Sequence, residues 1–157
     1  MILFMNQWRP EFDPTILRLQ VYSVGLYASA PDLKSAAGKA PEALQSSKGP
    51  KVAQLVFVMS VDEKKVADAL SAVSGVKANV LAEFQDLILR GIGGKMSKGE
   101  TLTLEFDGPS VAVAVRGKLV GKIKDKALAD GVLELYLGKT SVSPTLKENI
   151  RVVLAAA

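Results

Sequence analysis

The chain has 157 residues, 48% of them hydrophobic and 23% charged, the make-up of one ordinary globular domain with enough interior to fold without staples. It contains no cysteine and no histidine. That excludes disulfides, zinc–thiolate and iron–sulfur sites, a cysteine nucleophile, and histidine as general base or metal ligand. Any chemistry falls to Arg, Lys, Tyr, Asp, Glu, Ser or Thr.

Lys and Arg total 20 against 16 acidic residues, a net charge of +4 that is spread evenly. Residues 1–78 carry nine basic and seven acidic side chains, and residues 79–157 carry eleven and nine. The densest basic group, Lys118, Lys122, Lys124 and Lys126, has the spacing of solvated edges and no interleaved aromatics, so nucleic acid is not an expected partner. No apolar run approaches the roughly 20 residues of a membrane-spanning helix. Met1–Met5 has neither a positive leader nor an apolar stretch long enough for a signal peptide, and the domain is expected to begin almost at once.

Residues 15–28 read as a long strand, with Ile16, Arg18, Gln20, Tyr22, Val24 and Leu26 on one side and Leu17, Leu19, Val21, Ser23 and Gly25 on the other. From Ser29 to Pro50 the chain is polar and small, punctuated by Pro31, Gly38, Pro41 and Gly49, which predicts loop or weak helix. Val52–Val58 is a short apolar run and hence a buried strand. Ser60 with Glu63 three residues on has the pattern of a capping box, opening a helix with a buried stripe of Val66, Leu70 and Val73 and a stop at Gly75. Val80, Leu81, Phe84, Leu87 and Ile88 mark a second amphipathic helix, ended by Gly91 and Gly93-Gly94.

Three strands follow closely, at 101–106, 110–116 and 118–123. Asp107-Gly108-Pro109 and Gly117 part them, so the spacing predicts an antiparallel meander. Asp125 opens a helix through Leu128, Val132, Leu135 and Tyr136 that closes at Gly138, and Ser143-Pro144 starts a terminal helix. The order of strands, two helices, three strands and two helices is α+β: an antiparallel sheet covered by helices on one face, in a single domain without repeats.

Three stretches carry a family likeness: Val21-Tyr-Ser-Val-Gly-Leu-Tyr27, the meander from Gly99 to Ile123, and Leu128–Lys147, in which a helix ending Tyr-Leu-Gly precedes Val-Ser-Pro and a lysine. In order and spacing over about residues 15–153 the chain resembles the chalcone isomerase-like family. The resemblance implies an open-faced β-sandwich with a large antiparallel sheet, helices layered over it, and a ligand cleft between. The family includes isomerases that cyclise chalcones, non-catalytic helpers of flavonoid synthesis, and fatty-acid-binding proteins.

True isomerases of the family carry a strand arginine and a threonine on the next strand, then a tyrosine, a lysine and an asparagine at a helix start, and a late-helix threonine. Here Tyr22 stands at the second-strand position, Asp62 replaces the tyrosine, Lys65 aligns with the lysine, Ala69 replaces the asparagine, and Leu135, followed by Tyr136, takes the late threonine position. One oxyanion-type donor in a dry site is worth about 3–4 kcal/mol, so these exchanges argue against cyclisation, and no residue is assigned as catalytic.

The fatty-acid-binding branch resembles this chain in both tyrosine-bearing stretches. It implies a carboxylate held by a guanidinium and a phenol. Arg9, thirteen residues before Tyr22, and Arg18, four residues before it on the same strand face, are the two candidate anion anchors. Tyr136 and Lys65 are candidate ligand contacts. Gly91, Gly93 and Gly94 make no phosphate loop, and no paired carboxylates or acidic metal cluster stand out, so neither cofactor nor metal is expected. The expectation is a monomeric, non-catalytic binder of a small-molecule ligand, a fatty acid or a flavonoid-like compound. An active isomerase and a flavonoid-pathway helper are the alternatives, and the compartment, cytoplasm or plastid stroma, is left open.

Overall fold

The computed structural model describes residues 2–8 (backbone), 22–39, 42–47 and 49–137. In chain order these form β1 (Ile2–Trp8), β2 (Tyr22–Ala28), α1 (Ala30–Ala36), α2 (Glu42–Gln45), β3 (Lys51–Phe57), β4 (Val61–Asp62), α3 (Glu63–Leu70), α4 (Ala78–Ile92), β5 (Lys95–Met96), β6 (Thr101–Asp107), β7 (Ser110–Val115), β8 (Lys118–Lys124) and α5 (Lys126–Leu137). Among the described residues the large sheet has six strands in the order β1-β2-β3-β6-β7-β8, every neighbouring pair antiparallel.

One face of that sheet is the core, because the side-chain period of two puts every second residue on it. Tyr22, Val24, Leu26 and Ala28 of β2 lie opposite Phe57, Leu55, Ala53 and Lys51 of β3. Beyond them come Leu102, Leu104 and Phe106, then Val115, Val113 and Val111. All of these are buried. Helices cover this face: α4 lies against β7 and β8, and α5 against β7. Leu26, Leu55, Leu102 and Leu104 are at most 1% exposed, each a burial that contributes about 1.5–3 kcal/mol.

The register of β7 and β8 slips once. Val113 faces Gly121 but Ala114 faces Leu119, leaving Val120 as an extra residue in the edge strand. α4 crosses close above this bulge. A Cβ added at Gly91 would stand 2.7 Å from Val120 Cγ2, and one at Gly121 would stand 2.6 Å from Leu87 Cδ2. Glycine at both positions lets helix and sheet approach.

Several boundaries differ from the sequence reading. β1 had no counterpart in it. The 29–50 stretch contains α1, capped by Ser29 accepting from the Asp32 N–H at 3.3 Å, and α2. Ser60 and Glu63 do not form a capping box: α3 starts at Glu63 behind Asp62, which makes no side-chain cap. Glu63 instead exchanges two bonds with Gly94, its N–H donating to the Gly94 carbonyl at 3.0 Å and its carboxylate accepting from the Gly94 N–H at 2.8 Å. These extend the small β4–β5 pairing. α3 ends at Leu70, short of Val73, and Gly91 sits inside α4, whose left-handed cap is Gly93 at φ 63°. The meander follows the expected strands, and Asp125 caps α5 by accepting from the Leu128 N–H at 2.9 Å. The strand expected at 15–21 and the helix from Ser143 lie outside the described residues. No helix among the described residues is long and apolar enough to cross a membrane.

Candidate functional site

β2 begins at Tyr22, whose partners across the sheet are Trp8 on one side and Phe57 on the other. The Tyr22 and Phe57 rings meet with centroids 5.6 Å apart at 60°, a tilted aromatic contact. Above them runs the last turn of α5. Tyr136 falls one turn after Val132 and Leu133 on the buried stripe of that helix, so its ring also points into the core. The two phenolic oxygens come within hydrogen-bond distance, 3.2 Å, and the residues are only 5% and 1% exposed.

Burial sets the chemistry of this pair. Taking a phenolate out of water is costly, so desolvation raises both phenols. For Tyr22 burial is the largest cause, with the charge and hydrogen bond of Tyr136 adding to it. Tyr136 is pushed up to about 12 by burial, against a smaller lowering by its bond to Tyr22. Both hydroxyls therefore keep their protons at neutral pH. In their mutual bond one hydroxyl donates and the other accepts, so the pair offers at most one O–H to a further oxygen acceptor in this apolar setting.

Of the sequence-derived candidates, the structure brings Tyr22 and Tyr136 together. Lys65 is exposed on α3, as are its neighbour Lys64 and, just before the helix, Asp62, and none of the described hydrogen bonds or ion pairs ties it to the tyrosines. Arg9 and Arg18 lie outside the described residues. Arg9 follows directly on Trp8, the β1 residue paired with Tyr22. Leu135 is half-buried. Phe57 was not singled out by sequence, although its place at the end of an apolar strand was the available signal. Among the described residues no group of acidic side chains could hold a metal ion.

Comparison with known proteins bears on this arrangement. Over residues 15–150 the chain matches the model of a family described as chalcone isomerase-like. Among solved structures it is similar to a fatty-acid binding protein of Arabidopsis thaliana, with a TM-score of 0.76 and 18% sequence identity, covering 96% of this chain and 86% of that one. No curated protein matches it in sequence. At that identity the structural likeness establishes the fold: α+β, with the large antiparallel sheet and helix layer described above.

Proposed function

The chain belongs to the chalcone isomerase-like family, and on that premise we propose that it is a non-catalytic binder of fatty acids, with the ligand carboxylate received at the Tyr22–Tyr136 end of the sheet. The buried pair of protonated phenols carries this reading. A carboxylate accepts a hydrogen bond from whichever phenol does not donate to the other, and a charge-assisted bond of this kind is roughly twice as strong as a neutral one. A guanidinium beside them, from Arg9 or Arg18, would supply the balancing charge. Each methylene of the acyl chain buried against aliphatic side chains adds about 0.8 kcal/mol, enough for tight binding without any reaction. The fatty-acid binding activity of the similar Arabidopsis protein supports the same ligand class. The positions that align with isomerase donors on α3 support a carrier over an isomerase: Asp62 and Lys65 are exposed, and Ala69 has no donor.

Native mass spectrometry of the purified protein, followed by palmitate titration of wild type, Arg9→Ala, Arg18→Ala, Tyr22→Phe and Tyr136→Phe, tests this. Co-purified acyl chains, with affinity reduced about tenfold or more in one arginine variant and in at least one tyrosine variant, are expected. Absence of binding at tens of micromolar, roughly a −6 kcal/mol threshold, would remove the carrier reading. Flavanone formation from a chalcone would replace it with an isomerase.

A further inference from the structure

Lys51 opens β3 at the end opposite Phe57, six residues away or about 20 Å along the strand. It lies on the core face between Ala28 and Phe106 and is only 2% exposed. Its ammonium donates to the Ser47 carbonyl at 2.8 Å and the Gly49 carbonyl at 3.1 Å. An ammonium carries three N–H donors, and buried charges are ordinarily paired. Lys51 forms no ion pair with any described carboxylate. Asp32 acts on it only through space, and the buried Oδ2 of Asp32 makes no hydrogen bond to a described group. Desolvation accordingly lowers the Lys51 pKa from its ordinary value, with Asp32 opposing.

Lys51, with Asp32 acting on it through space but with no direct ion pair among the described residues, forms part of the wall of a cleft of about 630 Å³, between the loop after α2, the β6–β7 turn and the first half of α5. That volume is in the range of small-molecule sites. Phe106, Pro109 and Leu133 give the cleft apolar walls. Two carboxylates also line it, Glu42 and Asp130, the latter bonded to Lys126 at 2.6 Å. Their charge disfavours a multiply charged guest.

We propose that this cleft is a second ligand site, taking a singly charged organic anion whose acidic group bonds to Lys51 Nζ and whose apolar body rests on Phe106, Pro109 and Leu133. The distance from the tyrosine pair makes the site independent of the fatty-acid reading. A planar or tetrahedral oxyanion would give Lys51 the direct ion pair that no described carboxylate makes, while the carbonyls of Ser47 and Gly49 hold the ammonium in place.

Anilinonaphthalene sulfonate, a monoanion with an apolar body, is the probe. Titrated into the full chain and followed by amide NMR, it should shift Gly49, Lys51, Phe106 and Gly108, and saturating palmitate should leave those shifts in place. Lys51→Met should weaken the probe at least about tenfold. Gln45→Trp, which adds bulk to the cleft wall at the half-buried end of α2 and leaves the lysine in the sequence, should abolish binding and serves should the methionine variant fail to fold. Shifts confined to Tyr22, Val24 and Tyr136, displacement of the probe by palmitate, or full affinity in a folded Lys51→Met or Gln45→Trp protein would overturn the proposal. Failure of palmitate binding in the arginine and tyrosine variants tests the other site and leaves this result unchanged.

Discussion

The hydroxyls of Tyr22 and Tyr136 meet at 3.2 Å although 114 residues separate them in the chain. One belongs to the first residue of β2 and the other to the last turn of α5, so the contact ties the helix layer to the half of the sheet that contains β1, β2 and β3. A buried hydrogen bond of this kind contributes about 1 kcal/mol net, and losing one partner costs more than losing both. Tyr136→Phe is expected to lower stability by about 1 kcal/mol, and the double variant with Tyr22→Phe by clearly less than the sum of the singles. Urea unfolding of the four proteins measures it; additive losses would mean that the two hydroxyls do not act on each other.

The same pair fixes a response to alkali. Both phenols are held above the ordinary value of 10.0, Tyr136 at about 12. Above about pH 10 the unfolded chain releases these protons while the folded chain retains them, so the folded state binds more protons and stability falls as pH rises. The stabilising effect of the neutral pair is complete below pH 10 and is lost between about 10 and 12, on the order of 3 kcal/mol from Tyr136 alone. Thermal melts across this window, with phenolate absorbance read in parallel, should show a steeper decline in wild type than in Tyr136→Phe. Equal slopes would contradict the assignment.

How much of this was legible in the sequence follows from where each signal resides. Leu102, Leu104 and Phe106 alternate with threonine and glutamate, and Gly108 and Gly117 mark the turns, so β6–β8 could be read directly. Asp125 announced α5 for the same local reason. β1 carries no strand signal of its own, because Ile-Leu-Phe-Met has no period-two alternation, and its pairing with β2 is a backbone relation between distant segments. Ser60 and Glu63 have capping-box spacing, yet the Glu63 carboxylate is satisfied 31 residues away at Gly94, which local pattern cannot reveal. Tyr22 and Tyr136 stand out in the sequence only through family likeness; their meeting depends on how α5 crosses the sheet. Lys51 was invisible as a site, since a lysine at the start of a strand is ordinarily solvated. Its burial follows from the loop after α2, whose Ser47 and Gly49 carbonyls hold the ammonium over the sheet.

The close crossing of α4 over the β7–β8 bulge makes two glycines intolerant. At Gly91 the added methyl of alanine would meet Val120 Cγ2 at 2.7 Å and Val115 Cγ2 at 2.8 Å. Alanine gains about 1 kcal/mol in helix propensity there, but both neighbours are β-branched and stiff, and overpacking costs about 1–3 kcal/mol. The clash should prevail, making Gly91→Ala destabilising by on the order of 1 kcal/mol. Gly121→Ala brings a methyl to 2.6 Å from Leu87 Cδ2, the end of a flexible side chain that can turn aside, and alanine also gains about 0.5–1 kcal/mol over glycine in a strand, so it should lose less. Chemical denaturation ranks the two; a stabilised Gly91→Ala would show that the helix can lift off the sheet at little cost.

Arg116 offers the sharpest separation of backbone from side-chain effects. The turn between β7 and β8 has φ values of 53° at Arg116 and 78° at Gly117, the sign pattern of a type I′ hairpin, which favours Asn-Gly. An arginine in the left-handed region is strained by roughly 1–2 kcal/mol. Its guanidinium explains its presence: it donates to the Glu100 carboxylate, to the Gly91 and Ile92 carbonyls at 3.3 and 3.1 Å, and to the Lys95 carbonyl at 3.0 Å. The bond from Arg116, with the Ser97 N–H at 2.6 Å behind it, also holds the Glu100 carboxyl below its ordinary range. Arg116→Gly removes both strain and bonds, Arg116→Ala removes the bonds alone, and Arg116→Asn replaces the side chain with the residue the turn prefers. Gly and Asn variants should therefore be more stable than Ala by about 1 kcal/mol. All three should expose the end of α4, seen as faster amide exchange at Ile92 and Gly93 than in wild type. An Asn variant with wild-type exchange at those amides would mean that the hairpin, and not the guanidinium, anchors α4 to the sheet.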